Sequence, residues 1–251
     1  HKYKNHLSSA FQEHLFEAAL YVATKGKASV HFTISEKHKG KFDSEFKRIQ
    51  KVVESKTNTI FDISFSYQKE STDTIAVTAK NEIVREDNGQ LYFRPSGHGA
   101  LIENLNALDA DIIFVKNIDN VVIEPYVNNL AYHKKILAGK LLFLQTKIFS
   151  YILTLQNKKI TDELYSELKS FFWNELNCKD VPKNKHQMLY LLDRPIRVCG
   201  VVKNTGAPGG GPFWVKNEYG HVSIQIVEMA QIDKQKAEQI EQISAATHFN
   251  P

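Results

Sequence analysis

Two short stretches carry the groups best suited to phosphate chemistry. Residues 110–120, "ADIIFVKNIDN", form an apolar run that ends in Asn117, Asp119 and Asn120. A run of that kind reads as a buried strand at the centre of a parallel sheet. Its polar end then falls at the carboxyl edge of the sheet, where open α/β folds take ligands. A carboxylate there suits Mg2+, which keeps most of its waters and takes one or two carboxylates plus phosphate oxygens; the same residues equally make an ordinary strand-end turn. Upstream, in "SGHGAL", Gly97 and Gly99 flank His98 and open a helix. The glycines let the backbone approach a ligand, and the helix aims free N–H groups at an anion or a base edge. A lone Gly-x-Gly also simply reverses a chain. With no second His at ligand spacing, His98 is expected to shape a pocket rather than bind a metal or act as a base.

Three other places deserve the same weighing. Gln68, Lys69 and Asp73 follow a predicted strand and could read a base or neutralise phosphate, or form a charged loop. Glu228, among apolar neighbours in "IVEMAQI", could accept hydrogen bonds from sugar hydroxyls, or face solvent on a strand. The segment "TGAPGGGP", Thr205 to Pro212, lacks the Lys and Ser/Thr of a phosphate loop and runs into a strand, so it is expected to be a flexible hairpin or flap.

The elements that must position these groups alternate. "SSAFQEHLFEAALYVATKGK" spaces Phe11, Leu15, Ala18, Leu20 and Val22 near helical intervals, with Ser8 or Ser9 as the cap and Gly26 as the stop. "ASVHFTIS" alternates as a strand, "FDSEFKRIQKVVES" is an amphipathic helix and "IFDISFSYQ" is the next strand, an order that favours a parallel sheet under helices. Asn88-Gly89 marks a hairpin between "TIAVTA" and "QLYFRP". A helical pattern runs from Pro125 to about Leu155 with a break expected at Gly139, and a further helix capped by Thr161 follows. "NCKDVPKNKHQ" is the expected internal linker; three β-type runs and a charged helix close the chain.

Composition narrows the class. A chain of 251 residues at 42% hydrophobic and 24% charged can bury a core of its own. Its excess of 32 basic over 28 acidic residues is too small and dispersed to indicate nucleic acid. Cys178 and Cys199 alone make neither a disulfide scaffold nor a zinc site. There is no signal-peptide pattern and no uninterrupted apolar run of about 18 residues, so a cytoplasmic protein without membrane contact is expected. The start at His1 without Met, and the end just past a helix, suggest a piece of a longer protein.

In motif and order the chain resembles the sugar-nucleotide pyrophosphorylases that act on uridine nucleotides, from about Ala28 to Pro251 and most closely from Gln68 to Asn120. The resemblance rests on Pro95, Gly97, His98 and Gly99 before a helix, and on Asn117 to Asn120 after a strand. The chain is also similar to an uncharacterised bacterial domain family of unknown function that carries the same motifs.

The resemblance implies a mixed, mostly parallel Rossmann-like nucleotidyltransferase (GT-A-like) sheet with helices on both faces. Residues 1–177 would be the core and 190–251 a β-rich sugar-side part of the same domain. Gln68, Gly97, His98, Gly99 and Asn117 would hold the nucleotide, Asp119 the Mg2+, and Glu228 and Asn250 the sugar. Lys203 or Lys116 would meet the α-phosphate. Met229, Ala230 and Gln231 depart from the family's sugar-binding strand, and no Gly-Thr-Arg loop precedes the first strand. The implied partners are a nucleoside triphosphate and a sugar-1-phosphate, and the chain by itself is expected to be incomplete for catalysis. A non-catalytic sugar-nucleotide-binding module is the alternative. A glycosyltransferase is a third option, against which Asp109-Ala110-Asp111 lies before the strand rather than at its end.

Overall fold

The computed structural model describes residues 2–3, 7–206 and 210–250. The described residues form a mixed α/β structure with four two-stranded sheets among them, one parallel and three antiparallel. The chain forms two compact units, residues 1–132 and 133–251.

The first unit is built on a strand, helix, strand motif. Helix α1 (Ala10–Tyr21) starts at Ser9, whose hydroxyl accepts from the Gln12 N–H at 3.2 Å. It stops at Tyr21, and Gly26, at φ 75°, forms the turn into β1 (Lys27–Ile34). Helix α2 (Lys39–Thr57) ends on Asn58 in the left-handed conformation and returns the chain to β2 (Ile60–Tyr67). β1 and β2 pair in parallel from Lys27↔Ile60 to Ile34↔Tyr67. Because strand side chains alternate, Ala28, Phe32 and Phe61 turn to the core, joined by Phe11, Leu15 and Ala18 of α1 and by Ile49 and Val53 of α2. The Phe11 ring lies 4.9 Å from Phe32 and 5.3 Å from Phe42.

Beyond β2 the expected strands shrink to β3 (Thr74–Ile75) and β4 (Phe93–Arg94), an antiparallel pair. The Asn88-Gly89 turn forms as expected: Gly89 adopts φ 83° and Asn88 Oδ1 accepts from the Gln90 N–H at 2.9 Å. Helix α3 (Ile102–Asn106) follows a 3-10 turn over His98–Leu101.

The largest departure concerns residues 111–118, expected to be the central strand. They belong to no ladder among the described residues, and Ile113 and Val115 are exposed. The segment docks on α1 through the Phe114 and Lys116 side chains and the Ile118 carbonyl instead of by backbone pairing with β1 or β2. The mostly parallel, doubly covered sheet expected from sequence is thus represented by one parallel pair.

Helix α4 (Glu124–Asn157) runs 34 residues without the break expected at Gly139, where one glycine costs only about 1 kcal/mol and its neighbours are good helix formers. An 18-residue window in it has mean hydropathy 1.4, so by length and composition this helix could cross a membrane, although Lys140 and Lys147 interrupt its apolar run. In the second unit one of its faces is core: Leu144, Ile148, Tyr151 and Leu155 pack with Leu168, Phe171 and Phe172 of α5 (Asp162–Asn174) and with Met188, Leu191 and Leu192 of α6 (Lys185–Leu192). Thr161 caps α5, accepting from the Leu164 N–H at 3.3 Å. The expected linker around Cys178 is fastened down: its thiol is buried, and the Lys179 N–H donates to the Val222 carbonyl at 2.9 Å.

The remaining strands are short. β5 (Val202–Lys203) pairs with β8 (His248–Phe249), and β6 (Gly211–Lys216) with β7 (Val222–Val227), while α7 (Ala237–Ser244) precedes β8. The Ala207–Gly209 part of the expected flap lies outside the described residues. Neighbouring positions on α4 test the core directly. Leu155 is 0% exposed and Leu153 60% exposed. Leu155→Ala is expected to cost about 2–5 kcal/mol in urea denaturation and Leu153→Ala under about 0.5 kcal/mol.

Candidate functional site

The Gly97–Gly99 turn is tied to the carboxyl end of β2. Asn104, five residues past Gly99, donates its amide to Ser66 Oγ at 2.9 Å and to the Tyr67 carbonyl at 2.8 Å. Only the amide nitrogen can meet a carbonyl oxygen, so the orientation of this side chain is determined. Its Oδ1 is buried without a partner among the described residues. Ser96 Oγ donates to the Thr72 carbonyl at 2.5 Å, and Lys69 pairs with Glu103 at 2.6 Å. Gln68 sits just past β2, its amide 3.1 Å from Thr72 Oγ1 and 3.4 Å from Asp73 Oδ1. The structure therefore brings Gln68 together with the segment carrying Gly97, His98 and Gly99, at the strand end expected to take ligands. The His98 side chain is exposed.

The Asn117–Asn120 tip is held separately, by α1. Lys116 forms a buried ion pair with Glu17, whose other oxygen accepts from Tyr21 Oη at 2.6 Å. His14 Nε2 lies 2.8 Å from the Ile118 carbonyl, and the Tyr21 and Phe114 rings are 4.7 Å apart. Positions 114 and 116 share one side of an extended segment and Ile118 is reached through its carbonyl, while 14, 17 and 21 share one face of α1. Burial and the Glu17 carboxylate push the Tyr21 phenol well up, so it remains a donor. Burial holds the His14 imidazole below its ordinary range, with the Lys116 charge acting in the same direction. Lys116, a candidate for the α-phosphate, is thereby paired with Glu17.

The clamp leaves Asn117, Asp119 and Asn120 exposed, with the Asn120 N–H donating to the Asn117 carbonyl at 3.2 Å. No group of three or more potential metal-ligating side chains occurs among the described residues. A single exposed Asp fits Mg2+ bound chiefly through water and phosphate oxygens, and does not fit a cage made by the protein alone.

Sequence reasoning took β1 and β2 as scaffold and missed their second face. There His31 bridges Ser64 Oγ and Ser66 Oγ, each at 2.8 Å, and Thr33 Oγ1 is 3.2 Å from Ser66 Oγ. Burial lowers the His31 pKa. The alternation of His31 and Thr33 with Val30 and Phe32, and of Ser64 and Ser66 with Ile63 and Phe65, was the available signal. For the α1 clamp the signal was the polar series His14, Glu17 and Tyr21, spaced to share one helical face.

In the second unit Lys203 lies exposed in β5, opposite His248. Glu228 follows β7 rather than lying within it, and its carboxylate caps the 3-10 turn over Met229–Gln231 while its N–H donates to Gln231 Oε1 at 2.9 Å. Asn250 donates its side-chain amide to the Gly200 carbonyl at 2.6 Å and its backbone N–H to the Gly210 carbonyl at 2.7 Å. Gly210 brings these two residues close together, since a Cβ there would lie 2.8 Å from Ile226 Cγ2 and 3.2 Å from Glu228 Cγ. Glu228 and Asn250 thus both border Gly210, with their side chains engaged locally.

Residues 1–251 match the family described as "Domain of unknown function (DUF4301)". The chain belongs to the DUF4301 family. Comparison with curated proteins and with solved structures returned no match.

Two measurements on the DUF4301 chain test the clamp. Lys116→Met, which strands the Glu17 carboxylate, is expected to cost about 3–5 kcal/mol in urea denaturation, and adding Glu17→Gln should recover much of it. The second measurement is stability against pH. His14 binds its proton less readily folded than unfolded, so its contribution is complete above the ordinary imidazole value of 6.5 and is lost as pH falls toward the lower folded value. His14→Gln should therefore flatten the decline in stability below that value, leaving the part due to His31.

Proposed function

We propose that this chain is part of a sugar-1-phosphate nucleotidyltransferase, which converts a nucleoside triphosphate and a sugar-1-phosphate to a nucleoside diphosphate sugar and pyrophosphate. One observation carries the reading: Asn104 ties the helix after Gly97–His98–Gly99 to the carboxyl end of parallel strand β2, beside Gln68. Ligands of open α/β folds bind at that edge. In the reaction an oxygen of the sugar-1-phosphate bonds to the α-phosphorus, the bond from that phosphorus to the bridging oxygen breaks, and pyrophosphate leaves with the bond electrons.

The protein's contribution is positioning and charge complementarity rather than covalent chemistry. Gly97 to Gly99 offer backbone close to the nucleoside, with Gln68 beside them and Asn117 at the tip. Asp119 would hold Mg2+, which supplies neutralisation of phosphate charge. Lys203 is the remaining candidate for the α-phosphate, and Glu228 and Asn250 the candidates for the sugar. Their present hydrogen bonds would have to be exchanged for sugar hydroxyls.

The commitment of Lys116 to Glu17 favours a second reading, a sugar-nucleotide-binding module without turnover. Pyrophosphate release from UTP and a panel of sugar-1-phosphates, with Mg2+ and the full-length protein, separates the two. The transferase reading expects release that Asp119→Ala abolishes; full activity in that variant overturns the assignment. For the 251-residue chain alone, calorimetry with UTP and Mg2+ is expected to show weak binding or none. Tight binding would show that a Gly-Thr-Arg loop is not required.

A further inference from the structure

A recess of about 500 Å3 opens in the second unit where the end of α4 meets the start of α6. It is lined by Gln156, Asn157, Ile160 and the lysines Lys158, Lys159, Lys183 and Lys185, with no carboxylate among the lining residues. Four of the seven lining residues are lysines, so positive charge is gathered at this recess.

One of the four has a structural task. Lys185 Nζ donates to the Gln156 carbonyl at 3.3 Å and to the Lys158 carbonyl at 3.5 Å, covering the carbonyl end of α4 where a cation is favoured. Asn184 caps α6, with Oδ1 accepting from the His186 N–H at 2.8 Å, which fixes the segment between Lys183 and Lys185. The ammonium groups of Lys158, Lys159 and Lys183 have no hydrogen-bond or ion-pair partner among the described residues. The acids nearest in sequence, Asp162, Glu163 and Asp180, form no ion pair with them among the described residues, and Glu163 is held by its own N–H and the Thr161 hydroxyl, which lower its pKa.

Ammonium groups gathered round a concavity of small-molecule size suit a compact multivalent anion, and Lys serves phosphate as a point charge. We propose that this recess binds an oligophosphate, either free or as the phosphate chain of a nucleotide, through Lys158, Lys159 and Lys183. The proposal is independent of the nucleotidyltransferase reading, whose residues lie elsewhere in the chain.

The test is calorimetric titration of the chain with sodium tripolyphosphate and, separately, with ATP, both without Mg2+. Saturable binding is expected, weakened about tenfold or more, equivalent to about 1.4 kcal/mol or more, by Lys158→Gln/Lys159→Gln/Lys183→Gln. The control Lys41→Gln/Lys47→Gln/Lys51→Gln removes the same charge from exposed positions on α2 and should leave binding unchanged. Markedly tighter ATP binding, lost in the same triple variant, would identify a nucleotide as the source; equal binding would identify the phosphate chain alone. Should the triple variant not fold, Lys183→Gln with a severalfold loss replaces it. Absence of saturable binding overturns the proposal, as does equal weakening in the control. Binding to anionic phospholipid vesicles but not to tripolyphosphate also overturns it, in favour of a lipid surface.

Discussion

Glu17 is 2% exposed on a helix that also buries Phe11, Leu15 and Ala18, and its charge must be met from somewhere. A buried carboxylate without a partner is among the costliest features a fold can carry. Lys116, 99 residues away in sequence, meets it, and Tyr21 supplies a second hydrogen bond. With Lys116 held there, Phe114 against Tyr21 and the Ile118 carbonyl against His14, the Asn117–Asn120 tip is presented at the end of an anchored segment. The arrangement also explains how an extended, apolar segment stays in place without a ladder.

The β1–β2 pair supplies the other constraint. Its two faces have opposite characters, one of Phe, Ile, Val and Ala against α1 and α2, the other of His, Thr and Ser. The polar face is joined into a hydrogen-bonded group by His31 and extended to α3 by Asn104, so the placement of the Gly97–Gly99 turn depends on the hydroxyl of Ser66 and the carbonyl of Tyr67. Asn104 Oδ1 remains without a partner among the described residues, and a buried acceptor left in that state costs about 1–3 kcal/mol. That cost lies beside the turn with the strongest claim to bind a ligand. The two compact units thus differ in how they are organised: polar ties place the motifs of the first, while apolar packing of α4 against α5 and α6 builds the second.

Local features were the most legible from sequence. Ser9 and Thr161 cap their helices, Asn88-Gly89 turns its hairpin, and the strand, helix, strand order of residues 27–67 produces a parallel pair. These depend on interactions within a few residues, or on a binary pattern that repeats along one element. Gly139 shows the limit, because a single residue that weakens a helix is carried through a long run of good helix formers.

The Gly-His-Gly turn and the polar end of residues 110–120 were visible as motifs in the sequence, as were Gln68 and Glu228. Which partner each charged or amide group takes was not. Lys116 reads equally well as a phosphate ligand, Glu228 as a sugar contact and Asn104 as an unremarkable helix residue, since each can satisfy its hydrogen bonds in several ways. Tertiary structure pairs Lys116 with Glu17, turns Glu228 into a cap and makes Asn104 the tie between helix and strand. The sequence by itself determined the caps, the tight turns and the strand, helix, strand order of residues 27–67, because backbone hydrogen bonding and side-chain periodicity act over short distances. The fate of the buried polar groups was decided only when distant segments met, because a desolvated charge or amide takes whichever partner the packing brings within reach.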